Sequence, residues 1–188
     1  MVPSVLLKLA RESIEEVLEA RNTIDRDALL TQYPDLAEKR ATFVTLTIGG
    51  DLRGCIGTLV AHRSLLEDVV HNAKAAAFQD PRFSPLTTSE YLHAAVEVSL
   101  LTPPEPLEYR DTPDLKAKIR PGTDGVILSL GGYQATFLPQ VWEQLPEFEQ
   151  FFAHLGLKAG IGSDALSRHP EIFTYQVEKV KDEAIIKG

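Results

Sequence analysis

The feature that most constrains the fold is an alternating segment that leads into a strand containing two glycines. Residues 42–48 place Val, Leu and Ile on one side and Phe, Thr and Thr on the other, which is the two-residue period of a strand. Gly49-Gly50-Asp51 then supplies a tight turn, and residues 52–60 continue as the paired strand. The sequence therefore predicts an antiparallel hairpin whose second strand reads Leu-Arg-Gly-Cys-Ile-Gly-Thr-Leu.

Glycine weakens a strand unless another group must approach its backbone closely, so two glycines in this segment indicate a functional or packing constraint. Side chains alternate along a strand, and Arg53 and Cys55 are therefore predicted to project from one face, with open space beyond them at Gly57. The opposite face would pack through three aliphatic side chains, Leu52, Ile56 and Val60.

Two interpretations of the Arg53 face follow from its residue types. A guanidinium beside a thiol favours the thiolate, so Arg53 and Cys55 suit a nucleophilic cysteine or an anion-binding site in which Gly54 and Gly57 admit the ligand. In the other interpretation Cys55 is a small buried residue, as free cysteines commonly are, and the glycines only permit close packing. The residue types leave both interpretations open.

Three charged residues elsewhere are further candidates for the same site. Glu97 lies in a predicted strand, where it is either solvent-exposed or lines a cleft with Cys55 as a general base or as the partner of Arg53. Asp80 and Arg82 follow a predicted helix. They either hold a turn through hydrogen bonds or, through Arg82, bind a carboxylate or a phosphate; the two roles are compatible.

The rest of the pattern predicts helices and hairpins without an internal repeat. An amphipathic helix covers residues 4–21 with Ser4 as its N-cap, and a capping box at Ser64 opens a helix that runs to about Phe78. The other predicted elements are a short helix or loop at 27–40, a strand at 94–101, a short helix near 113–119, strands at 126–130 and 133–138, a helix at 147–155 capped by a left-handed Gly156, and a strand at about 171–180. Hairpins outnumber strand–helix–strand units, so we predict an α+β fold with a mainly antiparallel sheet and flanking helices.

A chain of 188 residues fits one domain, with room for a larger and a smaller lobe. Residues 1–188 are therefore predicted to form a single domain. The Pro103-Pro104-Glu105-Pro106 cluster breaks the preceding strand, so we place the connection between the two lobes near residues 102–113.

Charge and composition narrow the class of function. A net charge of −8 with no dense Lys/Arg run argues against binding to nucleic acid and to anionic membranes. No apolar run approaches the roughly 20 residues of a membrane span, and Met1–Ser4 does not begin a signal sequence, so we expect a cytoplasmic protein. One cysteine excludes an internal disulfide, and the five histidines lack metal-binding spacing. This spacing predicts no metal site. No nucleotide-binding fingerprint occurs either, so no cofactor is predicted.

The segment Leu52–Leu59 resembles the signature of the AMMECR family, named after the Alport syndrome and elliptocytosis chromosomal region. Its microbial members are called AmmeMemoRadiSam system protein A. Further blocks resemble the family in the same order along the chain, namely Thr42–Leu46, Asn72–Phe83, Val96–Pro103, Pro121–Val126, Thr136–Val141 and Leu155–Gly160. The likeness spans residues 4–180 and implies an α+β fold with a larger and a smaller lobe.

The resemblance also implies an association with a Memo-like protein and a radical SAM protein, which the name of the microbial system records. Together with the residue argument, it gives the hypothesis of a protein that binds or processes a small anionic substrate in a cleft around Arg53 and Cys55. Cys55 would be a nucleophile or a close contact, and Glu97 would relay a proton or orient Arg53. The alternative is a non-catalytic protein-interaction module, so the sequence leaves enzymatic activity open.

Overall fold

The computed structural model describes residues 3–187. Met1 and Val2, on which part of the signal-sequence prediction rests, lie outside the described residues, as does Gly188. The chain divides into two compact units, Met1–Leu101 with Glu178–Gly188, and Thr102–Val177. Each unit contains a four-stranded sheet, and the registered strand pairs are antiparallel. The predicted α+β class with antiparallel strands and flanking helices is confirmed, although the strands form two sheets where one was expected.

The first unit builds its sheet in the order β2-β1-β3-β8. Its elements are α1 (Pro3–Leu18), α2 (Arg26–Gln32), a short 3-10 helix (Pro34–Ala37), β1 (Ala41–Ile48), β2 (Asp51–Gly57), α3 (Leu65–Phe78), α4 (Thr88–Leu92), β3 (Ala94–Leu101) and most of β8 (Val177–Lys181). The predicted strand at 94–101 and the predicted helix from the Ser64 cap to Phe78 match the structure. Helix α1 begins before Ser4, so Ser4 is a residue of the helix and not its cap.

One face of this sheet forms the core of the first unit. Val44, Leu46, Val96 and Val98 alternate along β1 and β3 and are fully buried. The aliphatic sides of α1 and α3 pack against them and complete one continuous hydrophobic cluster. Each fully buried Val or Leu side chain contributes about 1.5–3 kcal/mol relative to an exposed one, so burial on this face fixes which way every strand is turned.

A buried carboxylate joins the start of β1, the end of β2 and the first turns of α3. Asp68 is fully buried, and its oxygens accept hydrogen bonds from the backbone N–H and hydroxyl of Thr42, at 2.8 and 2.7 Å, and from the hydroxyl of Thr58 at 2.8 Å. Arg63 Nε (2.7 Å) and Asn72 Nδ2 (3.1 Å) also donate to it. A buried charge is tolerated only when it is paired and hydrogen-bonded, and this carboxylate meets both conditions.

Strand β2 carries a β-bulge next to the segment of interest. The register pairs Leu46 with Gly54 but Thr47 with Leu52, so Arg53 is the extra residue. The strand ends at Gly57, and the chain has left the sheet by Val60, whose exposed fraction is 63%. Leu52, with 43% exposed, is likewise outside the core. The prediction that Leu52 and Val60 pack on one buried face with Ile56 is wrong for both, because the bulge breaks the alternation next to Leu52 and the strand ends before Val60.

The second unit orders its strands β4-β7-β5-β6. Its elements are β4 (Glu105–Pro106), α5 (Thr112–Lys118), β5 (Gly125–Leu130), β6 (Tyr133–Phe137), a 3-10 helix (Pro139–Glu143), α6 (Phe148–Lys158), a 3-10 helix (Ala165–Arg168) and β7 (Glu171–Tyr175). Aromatic side chains fill its core, where the rings of Trp142 and Phe151 stack with centroids 3.6 Å apart. The described residues 3–187 contain no helix long and apolar enough to cross a membrane.

Two predicted boundaries in this unit are wrong for identifiable reasons. Helix α6 continues through Gly156 to Lys158, because the missing side chain of Gly156 admits the carbonyl oxygen of Gly162, and the left-handed residue is Gly160 at φ 80°. The strand expected at 171–180 is divided at Gln176, whose backbone bonds to Thr102 and not to a strand neighbour. Residues on the two sides of Gln176 therefore belong to different sheets.

Replacing Gly54 by alanine tests how closely α3 packs on β2. A Cβ built on Gly54 would lie 2.1 Å from the carbonyl oxygen of Ala76 in α3, so helix and strand would have to separate. We expect Gly54→Ala to lower the free energy of unfolding by about 1–3 kcal/mol in chemical denaturation.

Gly132→Ala is the matched control, because a Cβ there meets no atom within 4 Å and the residue is not left-handed. It should change stability by less than about 0.5 kcal/mol. Equal stability of the two variants would contradict the close approach of α3 to β2.

Candidate functional site

The turn after α3 is attached to the free edge of β2. Among residues 3–187, strand β2 pairs only with β1 in the sheet, so its outer backbone groups need other partners. Asp80, which is 4% exposed, accepts the backbone N–H of Cys55 through Oδ2 at 3.0 Å. Its Oδ1 accepts the backbone N–H and the Nε of Arg82, both at 3.0 Å. Asp80 therefore binds the strand edge and the arginine together, and the turn-holding role considered for it is observed.

Cys55 is partly exposed and points to the face of the sheet opposite the core of the unit. Its Sγ lies 3.3 Å from Oγ1 of Thr45, the residue opposite it in the register of β1 and β2. Sequence reasoning placed Thr45 on the side of its strand opposite Val44 and Leu46 but did not connect it with Cys55. Aligning the two strands across the Gly49-Gly50 turn would have supplied that signal.

Arg82 lies beside Cys55, and its guanidinium is accessible to solvent. Its side chain is 55% exposed, and Nη2 lies 2.7 Å from Oδ2 of Asp80 and 3.4 Å from the carbonyl oxygen of Cys55. The hydrogen bond that Arg82 donates to Asp80 raises the pKa of Arg82, with desolvation acting in the opposite direction. The same hydrogen bond holds the pKa of Asp80 well below its usual range, with burial acting in the opposite direction.

Arg53 does not face an open hollow with Cys55, as the sequence had suggested. Its side chain is 10% exposed and binds both carboxylate oxygens of Glu90, with Nε to Oε2 at 2.9 Å and Nη2 to Oε1 at 3.2 Å. Nη2 also donates to the carbonyl oxygen of Ser84, and the ring of Phe83 lies 5.5 Å away. Arg53 is therefore both buried and paired, and a ligand arriving from solvent does not reach it as it can reach a more exposed arginine.

Glu90 was missed by the sequence reasoning, which proposed Glu97 as the partner of Arg53. Thr87 and Glu90 form a capping box that starts α4, and this spacing is readable in the sequence. The hydrogen bond from Arg53, followed by one from the backbone of Thr87, lowers the pKa of Glu90 to about 2. The Arg53–Glu90 pair thus fixes α4 beside the bulge of β2.

Neither glycine of β2 leaves room for a ligand. A Cβ on Gly57 would lie 2.2 Å from the ring of Phe43, so this aromatic side chain lies over the strand and occupies the expected space. Gly54 faces the other way, toward Ala76 of α3. The space that the sequence suggested at Gly54 and Gly57 is therefore filled by protein groups, and both glycines serve close packing.

Glu97 lies in the same row of the sheet as Cys55, but two strands away. Thr45 on β1 pairs with Cys55 on one side and with Glu97 on the other. Strands are about 4.8 Å apart, so the Cα atoms of Cys55 and Glu97 are separated by roughly 10 Å. Oε1 of Glu97 lies 3.8 Å from Nζ of Lys179. Glu97 is thus not placed to take a proton directly from Cys55, and Thr45 stands between them.

Metal ligation was also considered for this chain. Across residues 3–187, no three or more His, Cys, Asp or Glu side chains are grouped so that they could hold a metal ion.

The low pKa of Glu90 gives a testable pH dependence. Its pKa is lowered from 4.5 to about 2, so its stabilising contribution is present above pH 4.5 and is lost as the pH falls toward 2. Glu90→Gln keeps the capping geometry but removes the charge. We expect it to be less stable than the wild type by about 1 kcal/mol at pH 7, a value discounted for partial exposure, and equally stable near pH 2.

Glu178→Gln on β8 is the control, because Glu178 is exposed. Its stability difference from the wild type should stay close to zero at every pH. A Glu90→Gln difference that does not change between pH 7 and pH 2 would contradict the ion pair. Denaturant midpoints measured across this range decide the question.

Comparison with known proteins gives a consistent family assignment. The AMMECR1 family profile matches residues 7–180. A protein of Thermofilum pendens is 38% identical over 93% of this chain and 86% of its own length, and one of Methanothermobacter thermautotrophicus is 38% identical over 92% and 89%. The crystal structure of an uncharacterized protein from Pyrococcus horikoshii superposes with a TM-score of 0.78 at 34% identity, covering 97% of this chain and 92% of that one.

The names of these three proteins state no activity. The comparisons therefore support the fold and the family and do not identify a reaction. The blocks from the strand before Cys55 to the end of α6 all fall inside the matched region. On this evidence the chain belongs to the AMMECR1 family.

Proposed function

We propose that the protein binds a small anionic substrate at the outer edge of β2, where Cys55 is the reactive thiol and Arg82 binds the anionic group. One observation carries the proposal. The partly exposed thiol of Cys55 lies 3.3 Å from the hydroxyl of Thr45, and the guanidinium of Arg82 reaches the carbonyl of the same cysteine.

The chemistry of these groups supports a nucleophilic role. A hydroxyl donor and a nearby positive charge both favour a thiolate over a thiol, and the thiolate is the nucleophilic form of cysteine. The Thr45 hydroxyl can donate to the sulfur, and Arg82 is exposed enough to meet a ligand from solvent. An electrophilic carbon next to a carboxylate or phosphate is the substrate class that fits such a pair.

Other charged residues take supporting roles in this proposal. Arg53 is buried, and its pair with the partly exposed Glu90 positions the segment beside β2 without touching the substrate. Glu97 and Lys179 extend the row of polar groups that begins with Cys55 and Thr45. Lys179 is 47% exposed, so it can attract an anion toward this face of the sheet.

The resemblance to the microbial system supports a Memo-like protein and a radical SAM protein as partners, which would supply or consume the bound molecule. A cytoplasmic location likewise stays a prediction from the sequence. Both belong to the proposal and are independent of the chemistry assigned to Cys55.

One observation favours the alternative of a non-catalytic interaction module. Leu59 and Val60, in the segment after β2, are 42% and 63% exposed, and Leu52 near its start is 43% exposed. Exposed aliphatic side chains at both ends of one strand are typical of a surface that meets another protein. The reactivity of Cys55 separates the two functions, because an interaction surface requires no activated thiol.

Alkylation of Cys55 tests the reactive thiol. Cys55 is the chain's one cysteine, so mass spectrometry after limited treatment with iodoacetamide reports it alone. At neutral pH we expect a faster reaction than that of N-acetylcysteine amide. Thr45→Val and Arg82→Gln should each slow the reaction by about twofold to fivefold, since Thr45 contacts the sulfur and Arg82 places a positive charge beside the same residue. Thr45→Ser should retain the rate.

Arg110→Gln is the control for lost positive charge, because the Arg110 side chain is 88% exposed and lies in the other unit. It should react like the wild type. A wild-type rate no higher than that of the free thiol would remove the nucleophilic role and leave the interaction module as the better function.

Thermal unfolding in the presence of small anions tests the binding half of the proposal. Short-chain carboxylates and phosphate monoesters should raise Tm by about 2–4 °C at concentrations well above their Kd. Arg82→Gln should lose this stabilisation, and Arg110→Gln should keep it. Stabilisation that persists in Arg82→Gln would place the anion elsewhere and contradict the role given to Arg82.

A further inference from the structure

A cavity of about 250 Å³ lies within the unit Thr102–Val177, and none of the candidate site residues of the other unit lines it. The segment that follows β4 forms one wall, with Leu107, Glu108 and Tyr109, and the residues around the start of β7 form the other. Pockets for small molecules usually measure about 300–1,000 Å³, so this one would take a small ligand.

Two aromatic rings form a fixed wall of this cavity. The rings of Tyr109 and His169 stack with centroids 4.4 Å apart at an angle of 28°. The Tyr109 hydroxyl donates to the carbonyl oxygen of Pro170, and burial raises the pKa of Tyr109, so the hydroxyl stays a neutral donor. This bond ties the ring to the start of β7 and leaves the side chain little freedom to leave the stack.

The backbone of His169 is held in an unfavourable conformation. Its φ and ψ are 49° and 59°, in the left-handed region that side-chain-bearing residues rarely occupy. Such a conformation is strained and persists where the surroundings require it. Glycine would adopt it freely, so the presence of histidine here keeps an imidazole over Tyr109 at some cost in stability.

The charges around the cavity favour a cation. Glu108 and Glu171 both line it and are exposed, and within residues 3–187 neither carboxylate has an ion-pair or hydrogen-bond partner. The nearby ammonium of Lys118 is already bound, at 2.8 Å to the carbonyl oxygen of Glu108 and at 3.2 Å to Asp114. The two glutamates therefore keep their charge available for a ligand.

We propose that this cavity binds a small organic cation, an alkylammonium or alkylguanidinium group. Its alkyl part packs against the rings of Tyr109 and His169, and its charged group lies beside Glu108 and Glu171. Aromatic faces and carboxylates together are the usual recognition elements for such cations. The proposal does not depend on any chemistry at Cys55.

A pair of ligands that differ only in charge tests the proposal. Butylguanidinium and its neutral isostere butylurea are titrated into the full-length protein to about 10 mM, the range in which weak small ligands saturate. Binding is followed through the backbone amide signals of residues 107–109, 169 and 171–173 in heteronuclear NMR, since Pro170 has no backbone N–H. We expect butylguanidinium to shift these signals saturably and butylurea to leave them unchanged.

Three variants locate the binding. His169→Gly suits the left-handed backbone, so it should fold with an unchanged or higher Tm while losing the ring and most of the affinity. Glu171→Gln should weaken binding by about threefold or more, the size expected for an exposed charge pair. Glu143→Gln, an exposed glutamate of the same unit, is the control and should bind like the wild type.

Shifts that are equal for the two ligands would contradict recognition of charge. No saturable shift with butylguanidinium, or undiminished affinity in His169→Gly, would overturn the site. Equal weakening in Glu171→Gln and Glu143→Gln would show general attraction by surface charge and would also overturn it.

Discussion

The buried carboxylate of Asp68 is the interaction on which the arrangement of the first unit depends. It receives hydrogen bonds from Thr42 where β1 begins, from Thr58 directly after β2, and from Asn72 one turn along α3. Arg63 supplies the balancing charge. Removing one partner of such a buried pair typically costs about 3–5 kcal/mol, because the charge that remains has no compensation. The network therefore sets the spacing between the β1–β2 hairpin and α3, and the positions of the candidate site residues depend on that spacing.

The candidate site follows from this spacing. With α3 held close to the hairpin, its C-terminal end delivers Asp80 to the free edge of β2, where the carboxylate takes the place of a neighbouring strand for Cys55. Arg82 then reaches the same backbone from outside. The thiol itself contacts the hydroxyl of Thr45 on the neighbouring strand β1. Cys55 is thus contacted by Asp80, Arg82 and Thr45. The positions of all three depend on how α3 and the hairpin are held together by the Asp68 network.

The sequence predicted those helices and strands that are defined by a periodic pattern or a capping motif within a short segment. The strand at β3 and the helix α3 were placed correctly, because alternation and a capping box act within a few residues. The site was less predictable, since it depends on contacts across the chain. The bulge at Arg53 turned its side chain toward Glu90, and the ring of Phe43 filled the space above Gly57. Glycines were readable as sites of close approach, but the sequence did not say whether a ligand, a ring or a helix makes that approach.

The division of the last predicted strand at Gln176 has a consequence for how the molecule is made. Strand β3 pairs with β8, yet residues 102–177 are translated between them. Synthesis proceeds at about 5–20 residues per second. The N-terminal hairpin and helices can therefore fold while β8, the strand that pairs with one edge of β3, has not yet been made. A nascent chain at this stage carries an unprotected strand edge, the kind of surface through which polypeptides aggregate. Rapid independent folding of the intervening unit would shorten that vulnerable interval.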